Sequence, residues 1–532
     1  MPRVPVHNIG AVGLINDLES HIIPPEAWTG ARNVRFRDNK LERFLGHQQV
    51  FGTPTVAPYW AMMVPDGGSI FWMYANLTKM YTYLGGVHTN ITRQSAMVDV
   101  DYATDADLLW NGGVFQGIPV VTNGVDVPQA WTPVSASQKL VDLANWPSTL
   151  RCKILKPFKN FLIAMNLTDN GTEFPYRVRW SHSADPGTVP NSWDPSDPTK
   201  DTGETDLSDV LAGEIRDGLP LGDIFVIYKE NSVWGMQFVG GAFIFRFFQL
   251  PSEEGILATD CVSLIPKTGG HFLATTDDVV RFDGRGMTSL LDRRMRRGLA
   301  NLIDPDAFNR SFTVANPAQR EMWFCFPESG ATWPTLALVW NYVEDTITFR
   351  ELKDISYIAQ GIIPDSSGAS LTTWDSDTGA WDADTSPWNT ATFSNKARQL
   401  LACDPVNTKL YQVDQGDLFD TKNFTAYVER EGLAIVGQDR FRNPVVDFTN
   451  RKFVNRIWIQ ASGESFFVRV GAQEDINGVV VWGNAKLFTP GTDKYLDFTV
   501  DGRLIAVRFE STGDQHWVIN QYDLQVELLG EL

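Results

Sequence analysis

The chain has 532 residues, of which 64 are Asp or Glu and 45 are Lys or Arg, so its formal net charge is −19. Its apolar content of 43% excludes a disordered chain, and its length allows about three domains or a large repeat domain with a smaller one. The negative charge argues against a protein that wraps nucleic acid tightly, since phosphate binding needs excess positive charge. No apolar run is long enough for a membrane-spanning helix, and the N-terminus lacks the pattern of a signal peptide.

Four isolated cysteines, Cys152, Cys261, Cys325 and Cys403, form no CxxC pair. We therefore expect buried free thiols of a chain that folds in a reducing cytoplasm, with neither a disulfide framework nor a zinc site.

Short β-rich runs bounded by turn residues occur along most of the chain. Residues 69–75 (SIFWMYA) and 80–84 (MYTYL), for example, are followed by Gly85-Gly86 and a third run. Six such meanders recur at intervals of roughly 50 residues, beginning near residues 69, 117, 153, 224, 271 and 321. A helical apolar period appears only at residues 290–303, where Asp292 is a suitable N-cap, and weakly at 137–144. The fold class is predicted as all-β, with a β-propeller of about six blades.

The chain divides into three predicted parts. Residues 1–50 form an N-terminal segment and hairpin that close the propeller by pairing with a late strand such as residues 409–413. Residues 51–425 form the propeller. Residues 426–532 have longer alternating strands with hairpin turns at Asn477-Gly478 and Asp501-Gly502, which predicts a C-terminal β-sandwich.

The tract at residues 373–390 differs from the rest because Trp374, Trp381 and Trp388 recur every seven residues among Asp, Ser, Thr and Gly. One interpretation is an Asp-box turn, in which Asp377 and Gly379 turn tightly above Trp381. The other is an exposed aromatic tract that anchors a neighbouring protein or a sugar.

Catalytic motifs are missing from the sequence: there is no GxSxG, Walker loop, HExxH or paired-histidine spacing. The abundant carboxylates leave a glycosidase pair open. We expect a protein that is not an enzyme and that holds no metal or cofactor.

Two basic features stand out against the acidic background. One is a predicted hairpin with Arg32, Arg35, Arg37, Lys40 and Arg43, and the other is the predicted helix with four arginines. They fit a solvated or ion-paired face, an interface between subunits, or contacts with DNA phosphates. The candidate subunit-interface residues are Arg32, Arg35, Arg37, Arg293, Arg294, Arg296 and Arg297.

Several segments together resemble a known family. The most specific is residues 23–46 (IPPEAWTGARNVRFRDNKLERFLG), and the others are RVRWS at 177–181, IYKENSVWGMQFVG at 227–240, VRFDG at 280–284, the tryptophan tract, and GRLIAVRF at 502–509. In this order they resemble the tail hub or nozzle proteins of short-tailed bacteriophages, also called packaged-DNA stabilisation proteins.

The resemblance implies a structural protein of the virion tail, made in the host cytoplasm. It implies a ring of subunits, expected to be a hexamer, below the portal and adaptor rings. Its expected partners are the adaptor (head-to-tail connector) protein, a tail fibre or needle protein that plugs the channel, and genomic DNA that crosses the lumen during ejection without sequence-specific binding. An acidic lumen would keep DNA from adhering. The alternatives are a glycan- or receptor-binding tail protein that stacks sugars on the three tryptophans, and a propeller glycosidase.

Overall fold

The chain folds almost entirely into β-strands, as the turn pattern predicts. The computed structural model describes residues 3–67, 69–209, 213–241, 243–252, 254–363, 398–439, 444–476 and 478–530. Their strands form seven four-stranded antiparallel sheets, two six-stranded sheets and three two-stranded ribbons. The seven sheets are the blades of a β-propeller, and the two large sheets form a β-sandwich.

Each of blades 1 to 6 is a contiguous meander of four strands. In chain order, the strands are Trp60–Asp66, Ser69–Ala75, Met80–Leu84 and Val87–Asn90; Asn111–Phe115, Ile118–Thr122, Gln129–Ala130 and Val141–Asp142; Leu150–Phe158, Phe161–Asp169, Thr172–Trp180 and Gly203–Asp206; Ile215–Leu221, Ile224–Lys229, Val233–Phe238 and Phe245–Gln249; Val262–Leu264, His271–Ala274, Val279–Phe282 and Met287–Ser289; Phe312–Asn316, Glu321–Phe326, Leu336–Asn341 and Thr346–Glu351. These six correspond to the six predicted meanders.

Blade 7 combines two distant parts of the chain, which corrects the prediction of about six blades. Three of its strands are Tyr357–Gly361, Gln399–Asp404 and Lys409–Val413, and the fourth is His47–Gln49. His47 lies opposite Val413 and Gln49 opposite Tyr411. The N-terminal part of the chain therefore pairs with residues 409–413 as predicted, but through the strand after the hairpin and not through the hairpin itself. A local search for meanders misses this blade because its outer strand comes from the beginning of the chain.

The blades close into a ring. From blade 2 onward, the first strand of each blade contacts the first strand of the next, and that of blade 7 contacts that of blade 1. Blades 1 and 2 share a buried cluster that includes Trp60, Phe71 and Trp131, and Phe272 of blade 5 stacks on Trp340 of blade 6 at 5.9 Å. Large flat side chains thus bury the faces that a single small sheet would expose.

The sandwich is built from both ends of the chain. The strand order of its first sheet is Tyr495–Gly502, Lys452–Gly463, Trp517–Leu528, Lys40–Arg43 and Val34–Arg37, and Arg3–Val6 also pairs with Trp517–Leu528. The strand order of its second sheet is Gly30–Arg32, Ala426–Leu433, Leu504–Ser511, Phe466–Gln473 and Val481–Trp482, and Lys486–Phe488 also pairs with Phe466–Gln473. Trp28, Phe509 and Tyr522 pack between the sheets with ring centroids 5.5 to 6.3 Å apart.

The N-terminal hairpin belongs to the sandwich, which corrects the predicted division of the chain. Its strand Lys40–Arg43 pairs with Trp517–Leu528, with Leu41 opposite Ile519. Only the strand after the hairpin joins the propeller. The N-terminal segment therefore crosses from the sandwich to blade 7, and one buried apolar cluster extends from the sandwich into blades 4, 5 and 6.

The remaining elements are small. The two-stranded ribbons are Gln94–Ser95 with Val98–Asp99, Gly13–Leu14 with Ala27–Trp28, and Ile435–Gln438 with Pro444–Val446; a 3₁₀ turn spans Phe308–Arg310. The α-helix is Arg296–Leu302, so the prediction of a helix from Asp292 is wrong: Arg293 has a left-handed φ of 60° and keeps the preceding residues in a turn. Residues 137–144 contain turns and a short strand instead of a helix. All four cysteines are buried and free.

Candidate functional site

The exposed arginines of the N-terminal hairpin form ion pairs within the chain. Arg32 contacts Glu328 at 2.8 Å and Glu351 at 3.1 Å, both of blade 6. Arg37 contacts Glu42 on the neighbouring strand at 2.7 Å. About one-third of each arginine side chain remains exposed. Both could still contact another subunit, but their charges are already matched.

Arg35 and Arg43 of the same hairpin are buried. The prediction that Arg35 lies at a subunit interface is wrong, because its side chain is only 3% exposed and faces two carboxylates of this chain. Arg43 packs over the ring of Phe424 at 4.0 Å and donates to the carbonyl oxygens of Asp417 and Gly513. These two side chains hold the sandwich against the propeller.

Arg35 belongs to a buried group of four charged residues that we call the junction cluster: Arg35, Glu321, Arg350 and Asp414. Arg35 Nη2 donates to Glu321 Oε2 at 3.1 Å and to Asp414 Oδ2 at 3.0 Å. Arg350 Nη1 donates to the other oxygen of Asp414. The cluster joins the sandwich hairpin to blade 6 and to the end of blade 7.

Neighbouring groups complete the junction cluster. Arg350 Nη2 donates to the carbonyl oxygens of Leu45 and Gly46 at 3.0 Å, and its guanidinium lies 4.8 Å from the ring of Trp323. Trp323 Nε1 donates to Glu321 at 3.0 Å. Two cations therefore face two anions with most of their hydrogen-bonding atoms engaged, which is the condition under which buried charges are tolerated.

Within the junction cluster, the pKa values of Arg35 and Asp414 shift toward the ionised forms, whereas burial raises the pKa of Glu321 and lowers that of Arg350. Burial alone would lower the pKa of Arg35, but the carboxylates of Glu321 and Asp414 outweigh it and hold that pKa above the ordinary value. Burial alone would raise the pKa of Asp414, but Arg35 and Arg350 outweigh it and lower that pKa.

The second basic feature is only partly neutralised. Arg294 contacts Asp345 at 2.5 Å, and Arg296 contacts Asp277 at 3.1 Å and Asp278 at 3.4 Å. Arg293 and Arg297 are exposed and make no ion pair within the part of the chain that the structure describes. These two residues are therefore the strongest of the predicted interface candidates.

A second polar group, the axial cluster, lies where the inner strands converge on the propeller axis. It consists of Asn111 of blade 2, Lys156 of blade 3, Asp217 of blade 4, Asp260 just before blade 5 and Tyr357 of blade 7. Lys156 Nζ lies 3.3 Å from Asp217 and 3.6 Å from Asp260. Asn111 Nδ2 donates to Asp260 Oδ1 at 3.2 Å, which joins blades on opposite sides of the axis.

Asp260, which is half-buried, is the carboxyl group of the axial cluster whose pKa is raised. Burial raises the pKa of its carboxyl group to about 6; Lys156 opposes this rise and Asp217 adds to it. Its backbone has a left-handed φ of 62°, and its N–H donates to Asp217 Oδ2 at 3.1 Å. A strained backbone and a shifted pKa are typical of functional sites. Here, however, the polar atoms of the cluster bind one another across the propeller axis, so we interpret the cluster as a structural closure of that axis.

Sequence reasoning missed both clusters. Glu321, Asp414, Asp217 and Asp260 occur in short β-rich segments without a recognisable motif, and their partners are far away in the chain. The one available signal was Arg35, a charged residue between apolar neighbours in a strand pattern. Its partners follow only from the order of the blades.

The tryptophan tract with Trp374, Trp381 and Trp388 lies outside the described residues. Within the described ranges, no group of three or more His, Cys, Asp or Glu side chains could hold a metal ion. No described helix is long and apolar enough to cross a membrane.

Comparison with known proteins gives only distant structural similarity. No family model matches the chain, and no curated protein matches it. Among solved structures, one similar chain is the extracellular domain of a hybrid two-component system from B. thetaiotaomicron, with 8% sequence identity and a TM-score of 0.39. The match covers 76% of the present chain and 48% of that structure, so the present chain spans about half of the length of that structure.

Two WD40 propellers are similarly distant. The domain of Doa1 is 7% identical with a TM-score of 0.36, over 69% of this chain and 96% of that one. The domain of Toxoplasma gondii coronin is 8% identical with a TM-score of 0.36, over 76% of this chain and 87% of that one. The propeller assignment itself follows from the seven closed blades described above.

Proposed function

We propose that the protein is a structural subunit of the tail of a short-tailed bacteriophage, where it forms a nozzle or hub ring below the portal and adaptor. In this role it retains the packaged genome and forms part of the channel for DNA ejection. The supporting observation is that residues 23–46, the segment with the most specific resemblance to that family, join the two domains. Arg32, Arg35 and Arg350 couple this segment to blades 6 and 7.

A rigid two-domain subunit suits a ring that must withstand the pressure of packaged DNA. The propeller and sandwich share a buried apolar cluster and the junction cluster. The interior of a packed protein transmits force with little deformation. In a ring of such subunits, the propeller and the sandwich of each subunit would move together under load.

DNA would pass along the axis of the ring and not along the axis of one propeller. The Asn111 to Asp260 hydrogen bond spans the propeller axis, so a duplex has no path there. The net charge of −19 per chain would place like charge near DNA if acidic residues line the lumen, which reduces adhesion during ejection.

Electron microscopy tests this proposal. Negative-stain images and native mass spectrometry of the purified protein are expected to show a closed ring with a central lumen. Gold-labelled antibodies against the chain are expected to mark the tail of virions whose genome encodes it. A protein that stays monomeric at all concentrations, or that is missing from those virions, would overturn the proposal.

A further inference from the structure

A groove of about 590 Å³ lies at one end of the sandwich. Its floor includes Phe467 and Leu487, which face each other on paired strands. These side chains are 39% and 50% exposed, although both are large and apolar. Its rim includes the carboxylates of Glu464 and Asp514, and no Lys or Arg of the described residues lines it. We call this surface the acidic groove.

The acidic groove carries more negative than positive charge. Neither Glu464 nor Asp514 makes an ion pair with a described residue, although Gln515 donates to Asp514 Oδ1 at 3.2 Å. The guanidinium of Arg43 interacts electrostatically with both carboxylates and donates to the carbonyl oxygens of Asp417 and Gly513. The buried Arg43 is thus the one cation that interacts with the two carboxylates of Glu464 and Asp514 among the described residues. The apolar side chains of the floor remain exposed to solvent.

A surface of opposite character lies beside the helix Arg296–Leu302. We call it the basic patch: the exposed Arg293 and Arg297 with Leu18, which is 39% exposed. The backbone N–H of Arg297 donates to Asp17 Oδ2 at 3.2 Å, and the N–H of Asp17 donates to the carbonyl oxygen of Arg294 at 2.9 Å. These bonds hold Leu18 next to the two arginines.

We propose that the basic patch of one copy docks in the acidic groove of a second copy. Two cations without ion pairs would meet two carboxylates without ion pairs, and Leu18 would cover part of the exposed floor formed by Phe467 and Leu487. A contact between different surfaces of identical chains is heterologous, and such contacts generate a closed ring when the rotation between subunits closes. This inference rests on the proposed ring function and identifies its subunit contact.

Charge reversal separates this contact from other modes of assembly. Arg293→Glu with Arg297→Glu, or Glu464→Lys with Asp514→Lys, places like charges opposite each other and is expected to weaken self-association at least about tenfold. The variant with all four changes restores opposite charges and is expected to return assembly to near the wild-type level. Analytical ultracentrifugation over a concentration series measures each association constant.

Matched controls use two exposed arginines that make no ion pair with the described residues. Arg246→Glu with Arg285→Glu makes the same change in net charge outside the basic patch and is expected to leave assembly unchanged. Circular dichroism verifies that each variant is folded. If a reversal variant does not fold, Leu18→Asp and Leu487→Asp test the same contact and are expected to weaken assembly.

The possible outcomes separate a failure of the proposed subunit contact from a failure of the proposed function. If the wild-type protein forms rings and both reversal variants assemble equally well, the contact is wrong and the proposed function stands. If the wild-type protein remains monomeric at every concentration, the proposed function fails and the contact fails with it. Weakened assembly in both reversal variants, with recovery in the fourfold variant, supports the contact.

Discussion

The junction cluster and the axial cluster contain similar side chains but balance their charge differently. At the junction, two arginines face two carboxylates. At the axis, Lys156 alone faces both Asp217 and Asp260. Burial alone would raise the pKa of a carboxyl group at either place, yet the pKa of Asp414 is lowered and that of Asp260 rises to about 6.

This difference shows that charge balance decides how a buried carboxyl group behaves. Asp414 faces two arginines, keeps its ionised form and joins distant segments, whereas burial raises the pKa of Glu321, which pairs with Arg35. Where two anions share one cation, the protonated form of one carboxyl becomes accessible near neutral pH. The ion pairs of Asp414 are thus expected to persist to lower pH than the ionised form of Asp260.

Removal of residues 1–46 is expected to have the largest effect. It takes Arg35 out of the junction cluster and four strands out of the sandwich but leaves every residue of the axial cluster. We expect loss of soluble folded protein, because the sandwich sheets lose their partners and expose apolar faces. Soluble yield and thermal melting measure this, and an unchanged melting curve would show that the junction is dispensable.

Asp414→Ala is expected to have the next largest effect. It leaves Arg350 buried without a carboxylate partner and Arg35 with Glu321 alone. Loss of one partner from a buried charged pair costs about 3–5 kcal/mol. Urea denaturation measures the change in the free energy of unfolding. Asp223→Ala, whose side chain is 96% exposed, is the matched control and is expected to change it by less than about 0.5 kcal/mol. Equal midpoints for the two variants would contradict the role of the junction cluster.

Asp260→Asn is expected to have a smaller effect, with the opposite sign. The folded-state pKa of Asp260 is raised to about 6, above its ordinary value of 3.8, so its contribution to stability is present below pH 3.8 and is lost as pH rises through 6. The neutral amide removes this penalty and tolerates the left-handed backbone. We expect stabilisation of up to about 3 kcal/mol at pH 8 and a smaller gain at pH 5.

Melting temperatures of Asp260→Asn and the wild-type protein at both pH values test this expectation. Asp223→Asn supplies a control for the loss of one surface carboxylate. An equal gain at both pH values, or destabilisation at pH 8, would mean that the carboxylate is adequately neutralised by Lys156.

Local patterns were sufficient to predict most of the fold. Hairpin turns such as Gly85-Gly86 and alternating strands indicate antiparallel meanders because the information lies within a few residues. The seventh blade was missed as a unit because His47–Gln49 and Lys409–Val413 meet only after the ring closes. The helix start was misplaced because the capping potential of Asp292 did not reveal the left-handed turn at Arg293.

The candidate sites were predictable only in part. Arg293 and Arg297 remain plausible interface residues because the sequence places them in a dense run of arginines and the structure leaves them exposed. Arg35 was misassigned because composition cannot tell an exposed arginine from one that is neutralised by Glu321 and Asp414. Such pairs depend on which blades are neighbours.

The N-terminal strands also determine the order in which the propeller and the sandwich can complete their folding. His47–Gln49 can pair only after Lys409–Val413 has been synthesised, and this pairing completes blade 7. Lys40–Arg43 can pair only after Trp517–Leu528, which lies more than 400 residues later in the sequence, has been synthesised. During synthesis, these strands therefore leave the ribosome long before the segments with which they pair. The sandwich, which supplies the acidic groove, is complete only once Trp517–Leu528 is in place, so a chain without this strand would lack the surface that we propose for assembly.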